Sequence, residues 1–544
     1  MTEIVFDYIV IGGGSGACAT AGRLSEDSTK TVLVLEAGGE GKDWAIRIPA
    51  GAITMLPTKY NNWAFQTVPQ AGLNGRRGYQ PRGKALGGSS VLNAMVYIRG
   101  QASDYDHWAA LGNTGWSFNE LLPYFKRAEN NADFTDAFHG NNGPLHVGKL
   151  RTDNPFQQIY LNAAQQAGFP LNNDFNGVSQ EGAGTYQVTQ FNGERWSAAR
   201  AYLEPHRATR SNLHVMTGAH VTQILFEDEE VAIANQKRAV AVKFTHNGQV
   251  KTARAKSEII LAAGALQSPQ LLMLSGVGDR TELEKLGIPV VHHLPGVGNN
   301  LQDHPDMVLN YTANSLDLMG FSVSGAWRMA RECWRYITKR RGMLSTNYAE
   351  GGAFLKTSPE LPSPDVQLHF VIGVVEDHAR KLRWGHGYSC HVCILRPKSR
   401  GSVRLASANP HTAPLIDPNF FSDPDDLEVM LKGLKLTQKL MDAPALKNIR
   451  TSALTDADAH SDDELRELIR QRADTVYHPV GSCKMGLDAM SVVDPQLRVY
   501  GVKGLRIADA SIMPTLISGN TNAICMVIGE KAAEFIFNEK HDET

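Results

Sequence analysis

Near its C-terminal end the chain reads Asp474-Thr-Val-Tyr-His-Pro-Val-Gly-Ser-Cys-Lys-Met-Gly486, with His478 between a tyrosine and a proline. An imidazole ionises at about pH 6.5, so near neutrality its uncharged form can take a proton from a weak acid such as an alcohol. Histidines before proline in glycine-rich loops also serve as structural residues, and the loop alone supports both readings. A second chemical group stands at the other end of the chain. Gly12-x-Gly14-x-x-Ala17 follows the apolar run at 8–11 and opens a helical pattern that runs through Leu24; a second apolar run, in TKTVLVLE, ends at Glu36. Strand, glycine turn, helix, strand and acid in that order form the βαβ dinucleotide unit. Gly12 permits the turn, Gly14 lets backbone approach a pyrophosphate, and Ala17 keeps helix close to strand. The helix N-terminus offers unpaired N–H groups to the phosphates. Glu36, 24 residues after Gly12, stands where a carboxylate meets ribose hydroxyls. The unit predicts a bound dinucleotide without choosing between NAD and FAD.

The frame that positions these groups is large. At 544 residues two domains are expected, and 42% hydrophobic with 20% charged residues is the composition of a soluble globular protein. A formal net charge of −2 gives no basic field for nucleic acid. The start, MTEIVFDYIVIGGG, carries Glu3 and Asp7 in place of a basic leader region, and no run reaches the ~18 apolar residues of a spanning helix. A cytoplasmic protein is expected, with any membrane contact peripheral and on the inner face. LPSPDVQLHFVIGVV, YSCHVCILRP and GSVRLAS alternate like strands, while DDLEVMLKGLKLTQKLM and SDDELRELIRQRA have helical periodicity. Cys390 and Cys393, three apart on a strand, point to opposite faces, which predicts free buried thiols and no metal ligands. In SGAWRMARECWRYITKRRGML, Arg328, Arg331, Arg335, Lys339, Arg340 and Arg341 interleave with Trp327, Trp334 and Ile337. That pattern suits either a lipid headgroup surface or a solvated basic face on a packed helix.

Three more segments carry glycine-rich or small-residue turns: Pro81-Arg-Gly-Lys-Ala-Leu-Gly-Gly-Ser-Ser-Val-Leu-Asn93, GALQSPQLLMLSGVG at 264–278, and GLRIADASIMP at 504–514 leading to SGNTNAICMVIGEKAAEFI. With YHPVGSCKMG, these resemble the signatures of the glucose–methanol–choline (GMC) family of flavin oxidoreductases, in order, from residue 7 to about 536. The resemblance implies an α/β fold: a discontinuous Rossmann-like FAD-binding domain (1–155, 195–310 and 465–544) and an inserted α+β substrate domain on an antiparallel sheet (156–194 and 311–464). It implies that Gly12, Gly14, Ser15, Glu36 and Ala37 hold the ADP part of FAD and that Val221 meets adenine. Gly88, Ser89 and Asn93 would line the pyrophosphate and flavin, with Asp509 and Ala510 closing over the ribityl–isoalloxazine region. Some relatives attach FAD through a histidine where this chain has Leu92, so non-covalent FAD is expected here.

The same resemblance makes His478 the base and Asn522 its partner, donating to the alkoxide-like oxygen. Asparagine in place of a second histidine resembles the choline and aryl-alcohol branches. Glu350, His386, Val476 and Tyr477 are the implied substrate contacts. The expected reaction is FAD-dependent oxidation of a primary alcohol, aliphatic or aromatic, to the aldehyde by hydride transfer to flavin N5. Electrons would then pass to a quinone or another non-nicotinamide acceptor. The alternatives are an oxidase of the same fold making H2O2 from O2, a choline dehydrogenase or oxidase, and a hydroxynitrile lyase that keeps FAD without redox use.

Overall fold

The computed structural model describes residues 4–228, 237–455, 457 and 461–542. The apolar run at the start forms strand Ile4–Ile11, whose last four residues are buried, and it lies parallel to the fully buried strand Val32–Leu35. Near-continuous apolar strands of this kind are covered on both faces. Helix α1 (Ser15–Leu24) makes the crossover between them. Leu213–Met216 and Gln249–Leu261 flank this pair in parallel, and Lys237–His246 and Ala219–Asp228 extend the sheet antiparallel. The chain returns to this sheet at Leu505–Ile507, parallel to Gln249–Leu261. One core therefore joins Tyr8, Leu33, Leu203, Ile260, Ile507 and Ile528 from distant parts of the sequence.

A second sheet is antiparallel, in the order Arg450–Ala453, Pro305–Ala313, Gly385–Ile394, Val366–Val371, Ala349–Leu355, Gly182–Gly184. Helices Pro155–Gln166, Pro424–Met441 and Asp462–Arg472 cover one face. Tyr160, Met430, Leu434 and Ile469 share a core there with Leu309, Leu368, Phe370, Cys390 and Val392. Strand alternation then fixes what the other face carries. With Leu368 and Phe370 in the helix-covered core, His369 and Val371 point the opposite way; with Cys390 and Val392 in it, so does His391. Cys390 and Cys393 are both buried and free.

Two expected domain limits shift. Strand Pro305–Ala313 pairs from Asp306 to Thr312 with Gly385–Ile394, so it lies within the second sheet and a change of domain at 310/311 falls inside a strand. Helix Asp462–Arg472 buries Leu465 and Ile469 in the second core, which moves the return to the first domain past residue 473.

Helix α2 (Val323–Lys339) lies on the second domain, its N-terminus capped by Ser322, whose Oγ accepts from the Gly325 N–H. Helix α3 (Asn522–Asp542) packs on α1 at glycines: a Cβ on Gly529 would come within 2.3 Å of the Gly16 carbonyl oxygen. Among the described residues no helix is long and apolar enough to cross a membrane.

Candidate active site

The turn into α1 requires glycine. Gly12 has φ 98°, and a Cβ there would stand 2.5 Å from the Ala262 carbonyl oxygen. Gly14 instead opens on space: the nearest atom to its added Cβ is the same oxygen at 3.9 Å. Gly88, at φ 54°, comes so close that its own Cβ would lie 2.5 Å from Gly14 Cα. The two glycine loops therefore meet over one channel. Glu36 ends its strand buried, Oε2 accepting from Gly13 N–H (2.7 Å) and Oε1 from Gly38 N–H (2.6 Å); burial pushes its carboxyl up to about 7. Asn93 Oδ1 accepts from Arg195 Nη1 at 2.7 Å. Asp509 is held by Gly264 N–H (2.9 Å) and Ser268 Oγ (2.5 Å), leaving the next residue, Ala510, on the channel wall.

A single cavity of about 610 Å³ runs along all of these: Gly12, Gly14, Ser15, Glu36, Ala37, Gly88, Ser89, Asn93, Val221, Asp509 and Ala510 line it, as do Val476, Tyr477 and His478. Its course from an acid at a strand end, past a helix N-terminus, to a histidine suits an extended dinucleotide with its redox-active ring at the His478 end. The open space before Gly14 and Gly264, where an added Cβ meets nothing nearer than 3.9 Å, fits the pyrophosphate and its neighbours.

The histidine loop is pinned from several sides. His478 N–H donates to Asp303 Oδ1 (2.8 Å), and Asp303 Oδ2 is held by Gln80 Nε2 (2.7 Å) and Thr475 Oγ1 (2.6 Å). Tyr477 sits at φ 74°, a conformation that costs a non-glycine residue on the order of 1 kcal/mol. Arg82 Nη2 clamps its carbonyl at 2.6 Å, and its hydroxyl meets His378 Nδ1 at 2.6 Å.

The ring itself is set by a chain of hydrogen bonds. His304 Nε2 lies 3.0 Å from the Leu395 carbonyl oxygen, which can only accept, so that nitrogen carries the proton. Burial pushes His304 down to about 4, so it is neutral and its Nδ1 accepts. His478 Nδ1, 2.9 Å away, must then donate, which leaves His478 Nε2 bare. Asn520 Nδ2 lies 3.2 Å from that nitrogen, its orientation fixed because Asn520 Oδ1 accepts from Gln367 Nε2 at 3.0 Å. Burial, reinforced by His304, His369 and Arg82, holds His478 well below the usual histidine range. The arrangement is a neutral imidazole with one ring nitrogen able to accept a proton, beside an oriented amide donor.

Two expected site residues stand elsewhere. Asn522, expected as the partner of His478, opens α3 and accepts from Ser15 Oγ at 2.7 Å; it lines the cavity at the α1 turn, while the place beside His478 Nε2 belongs to Asn520, two residues earlier. Glu350 is fully buried off the cavity, its carboxylate taken up by Thr152 Oγ1 (2.7 Å), Thr346 Oγ1 (2.7 Å) and Gln157 Nε2 (2.6 Å). Tyr348, at φ 68°, and a register shift between Ala349 and Gly351 send Tyr348 to the cavity and Glu350 away. His386 lies at the outer end, where Nε2 meets Ser322 Oγ at 2.7 Å and Nδ1 meets the Leu318 carbonyl at 2.8 Å. Sequence reasoning missed Asn520, His304, His369 and His391. The last two are cross-strand partners on the cavity face, and His391 Nδ1 lies 2.7 Å from Asp306. Their signal was the polar phase of VQLHFV and SCHVCI. Away from the cavity, Asp136, His139 and Asp174 converge, with the imidazole 2.8 and 3.6 Å from the two carboxylates.

The chain matches the GMC oxidoreductase family in two parts, residues 6–306 and 397–529. It is 46% identical to an alcohol dehydrogenase [acceptor] of Pseudomonas putida over 98% of this chain and 96% of the relative. To the mitochondrial choline dehydrogenase of Homo sapiens it is 42% identical, over 98% and 89%. Its fold superposes on an FAD-dependent oxidoreductase from Chaetomium thermophilum with a TM-score of 0.87, at 28% identity, covering 98% of this chain and 100% of that one. Channel, base and matches agree: the chain belongs to the GMC oxidoreductase family and is an FAD-dependent oxidoreductase acting on CH–OH groups.

Proposed function

We propose that the protein oxidises an apolar primary alcohol, aliphatic or aromatic, to the aldehyde and passes electrons to a quinone or another non-nicotinamide acceptor. The observation that carries this reading is the bare Nε2 of His478 beside the Asn520 amide, where the dinucleotide channel meets the outer part of the cavity. His478 Nε2 takes the hydroxyl proton, and Asn520 Nδ2 donates to the oxygen as negative charge develops on it. His304 accepts from the opposite side of the His478 ring, so the base keeps the tautomer it needs. FAD, when bound, supplies the two-electron redox chemistry by accepting hydride from the alcohol carbon. Leu92, buried beside the channel, offers no nucleophile, which favours non-covalent FAD.

The lining favours an apolar alcohol over choline. Met319, Phe321, Met329, Leu382 and Trp384 line the outer end. Among the described residues the cavity's carboxylates are Glu36 and Asp509, both at the dinucleotide end. A quaternary ammonium would find aromatic faces there but no counter-charge. The test is an anaerobic panel of alkanols, benzyl alcohols and choline, scored by bleaching of the flavin and then by reoxidation with O2 or a soluble quinone. Bleaching by apolar alcohols and faster reoxidation by quinone are expected. Bleaching by choline alone would overturn the substrate reading, peroxide formed in step with substrate would make the protein an oxidase, and no bleaching by any alcohol would leave the lyase reading.

A further inference from the structure

Helix α2 is amphipathic, yet its apolar stripe faces outward. Val323, Trp327, Ala330, Trp334 and Ile337 recur at steps of four and three and so share one face of the helix. On a packed helix this stripe would be core. Here Trp327 is 78% exposed, Trp334 66% and Ile337 73%, while Glu332 and Tyr336 are buried against the protein. A lone exposed tryptophan needs no explanation, but a continuous stripe does. The patch extends beyond the helix: Leu382 and Trp384 of the neighbouring loop are exposed, and Phe321 forms a β-bridge with Trp384.

The exposed charges on α2 itself have one sign. The helix's only acid, Glu332, is buried with a carboxylate oxygen 3.9 Å from Arg331, whose side chain still stands exposed, as do Lys339 and Lys381. The basic residues nearer the body are already matched: Arg335 and Arg341 with Asp153, Arg340 with Glu194, Arg383 with Glu376. Because the whole chain carries a net charge of −2, the outward cations are a local feature. A second copy of this face would set the cations Arg331 and Lys339 against cations of the same patch. Tryptophan flanked by lysine and arginine is instead suited to an anionic lipid interface, where rings sit at headgroup depth and cations meet lipid phosphates. Position supports the same occupant. Phe321, Met329, Leu382 and Trp384, on or beside the patch, also line the outer end of the cavity.

We propose that α2 and the loop at 380–384 seat the protein on an anionic lipid surface with the mouth of its cavity facing the bilayer. The docking stands on the patch alone. Its consequence, that apolar alcohol and quinone reach the flavin site from the lipid, rests on the function proposed above. The full-length FAD-loaded protein is co-sedimented with vesicles of phosphatidylcholine containing about 30% phosphatidylglycerol, and with phosphatidylcholine alone, at low and high salt. Binding to the anionic vesicles, at least tenfold weaker to the neutral ones and reduced by salt, is expected. The triple variant W327S/W334S/I337S should lose at least tenfold in binding while FAD content and turnover of a soluble alcohol with a soluble dye stay within twofold. R331E/K339E should lose about 25-fold or more, from about fivefold per basic residue. No vesicle binding at low salt, or binding by the triple variant equal to wild type, would overturn the proposal. So would lipid-free dimerisation in sedimentation velocity that the triple variant abolishes, since the patch would then serve a second copy.

Discussion

Replacing His304 by leucine removes the group that sets the tautomer of the base without touching alcohol or flavin. In the wild type, His304 Nδ1 accepts from His478 Nδ1 at 2.9 Å while His304 Nε2 donates to the Leu395 carbonyl at 3.0 Å. Leucine leaves the His478 Nδ1–H without an acceptor in a buried place, at a cost of about 1–3 kcal/mol. His478 avoids that cost by moving its proton to Nε2, the nitrogen that must accept from the alcohol. A bias of that size against the productive tautomer slows flavin reduction about 5- to 150-fold, at 1.36 kcal/mol per decade. Asparagine is the control, because its Oδ1 stands near the former Nδ1 position and accepts the same proton; His304→Asn should stay within about tenfold of wild type by this reasoning. The assay is anaerobic stopped-flow reduction of the bound flavin by saturating alcohol, with flavin content measured on each sample. An unchanged rate in fully loaded His304→Leu would refute the tautomer argument, as would His304→Asn slowing as much as His304→Leu.

Asn520→Ala should lower kcat by about 10²–10³ with FAD retained, the loss typical of one oxyanion donor, whereas Asn522→Ala should weaken FAD retention and leave the loaded enzyme within about tenfold; the reverse pattern in flavin content and reduction rate would restore the Asn522 assignment. Glu350→Gln should leave KM for neutral and cationic alcohols within about twofold and lower Tm, because it unsettles a buried hydrogen-bond cluster off the cavity. His304 and His369, pushed down to about 4 and about 3, contribute stability that is complete above pH 6.5 and is lost as the pH falls toward those values, by about 1.4 kcal/mol per pH unit for each. The urea midpoint of His304→Asn should therefore fall less steeply than that of wild type between pH 6.5 and 4, and equal slopes would contradict the buried neutral state.

Local chemistry was legible where short-range rules govern it. Gly12, Gly14 and Glu36 form one βαβ unit whose spacing is set by the unit itself, and their places in the structure follow from it. Alternation placed two strands of the second sheet, Val366–Val371 and Gly385–Ile394, and three-residue spacing placed Cys390 and Cys393 on opposite faces. The pairing of His478 depended on something no spacing encodes, namely which of two asparagines two residues apart meets the loop when α3 packs on α1. Asn520 and Asn522 differ only in that tertiary placement. Glu350 was misplaced because positive φ at Tyr348 and a strand irregularity shift the phase of its strand, and neither leaves a mark in NYAEGGAF. His369 and His391 carried a usable signal, polar residues at the cavity-facing phase, but the phase acquires meaning only once the other face is known to be covered by helices. The limits at 310/311 and 464/465 moved for a similar reason, since sheet pairing and helix burial, not motifs, decide which core a segment joins.

In the proposed reaction His478, neutral and bare at Nε2, takes the proton of the alcohol at the flavin end of the channel. Anaerobic single-turnover reduction of the flavin in His478→Ala, loaded with FAD to the wild-type level, tests it most directly. A fall of at least about 10³ in the reduction rate with the flavin spectrum unchanged is expected. A rate within tenfold of wild type, about 1.4 kcal/mol of barrier, would contradict it.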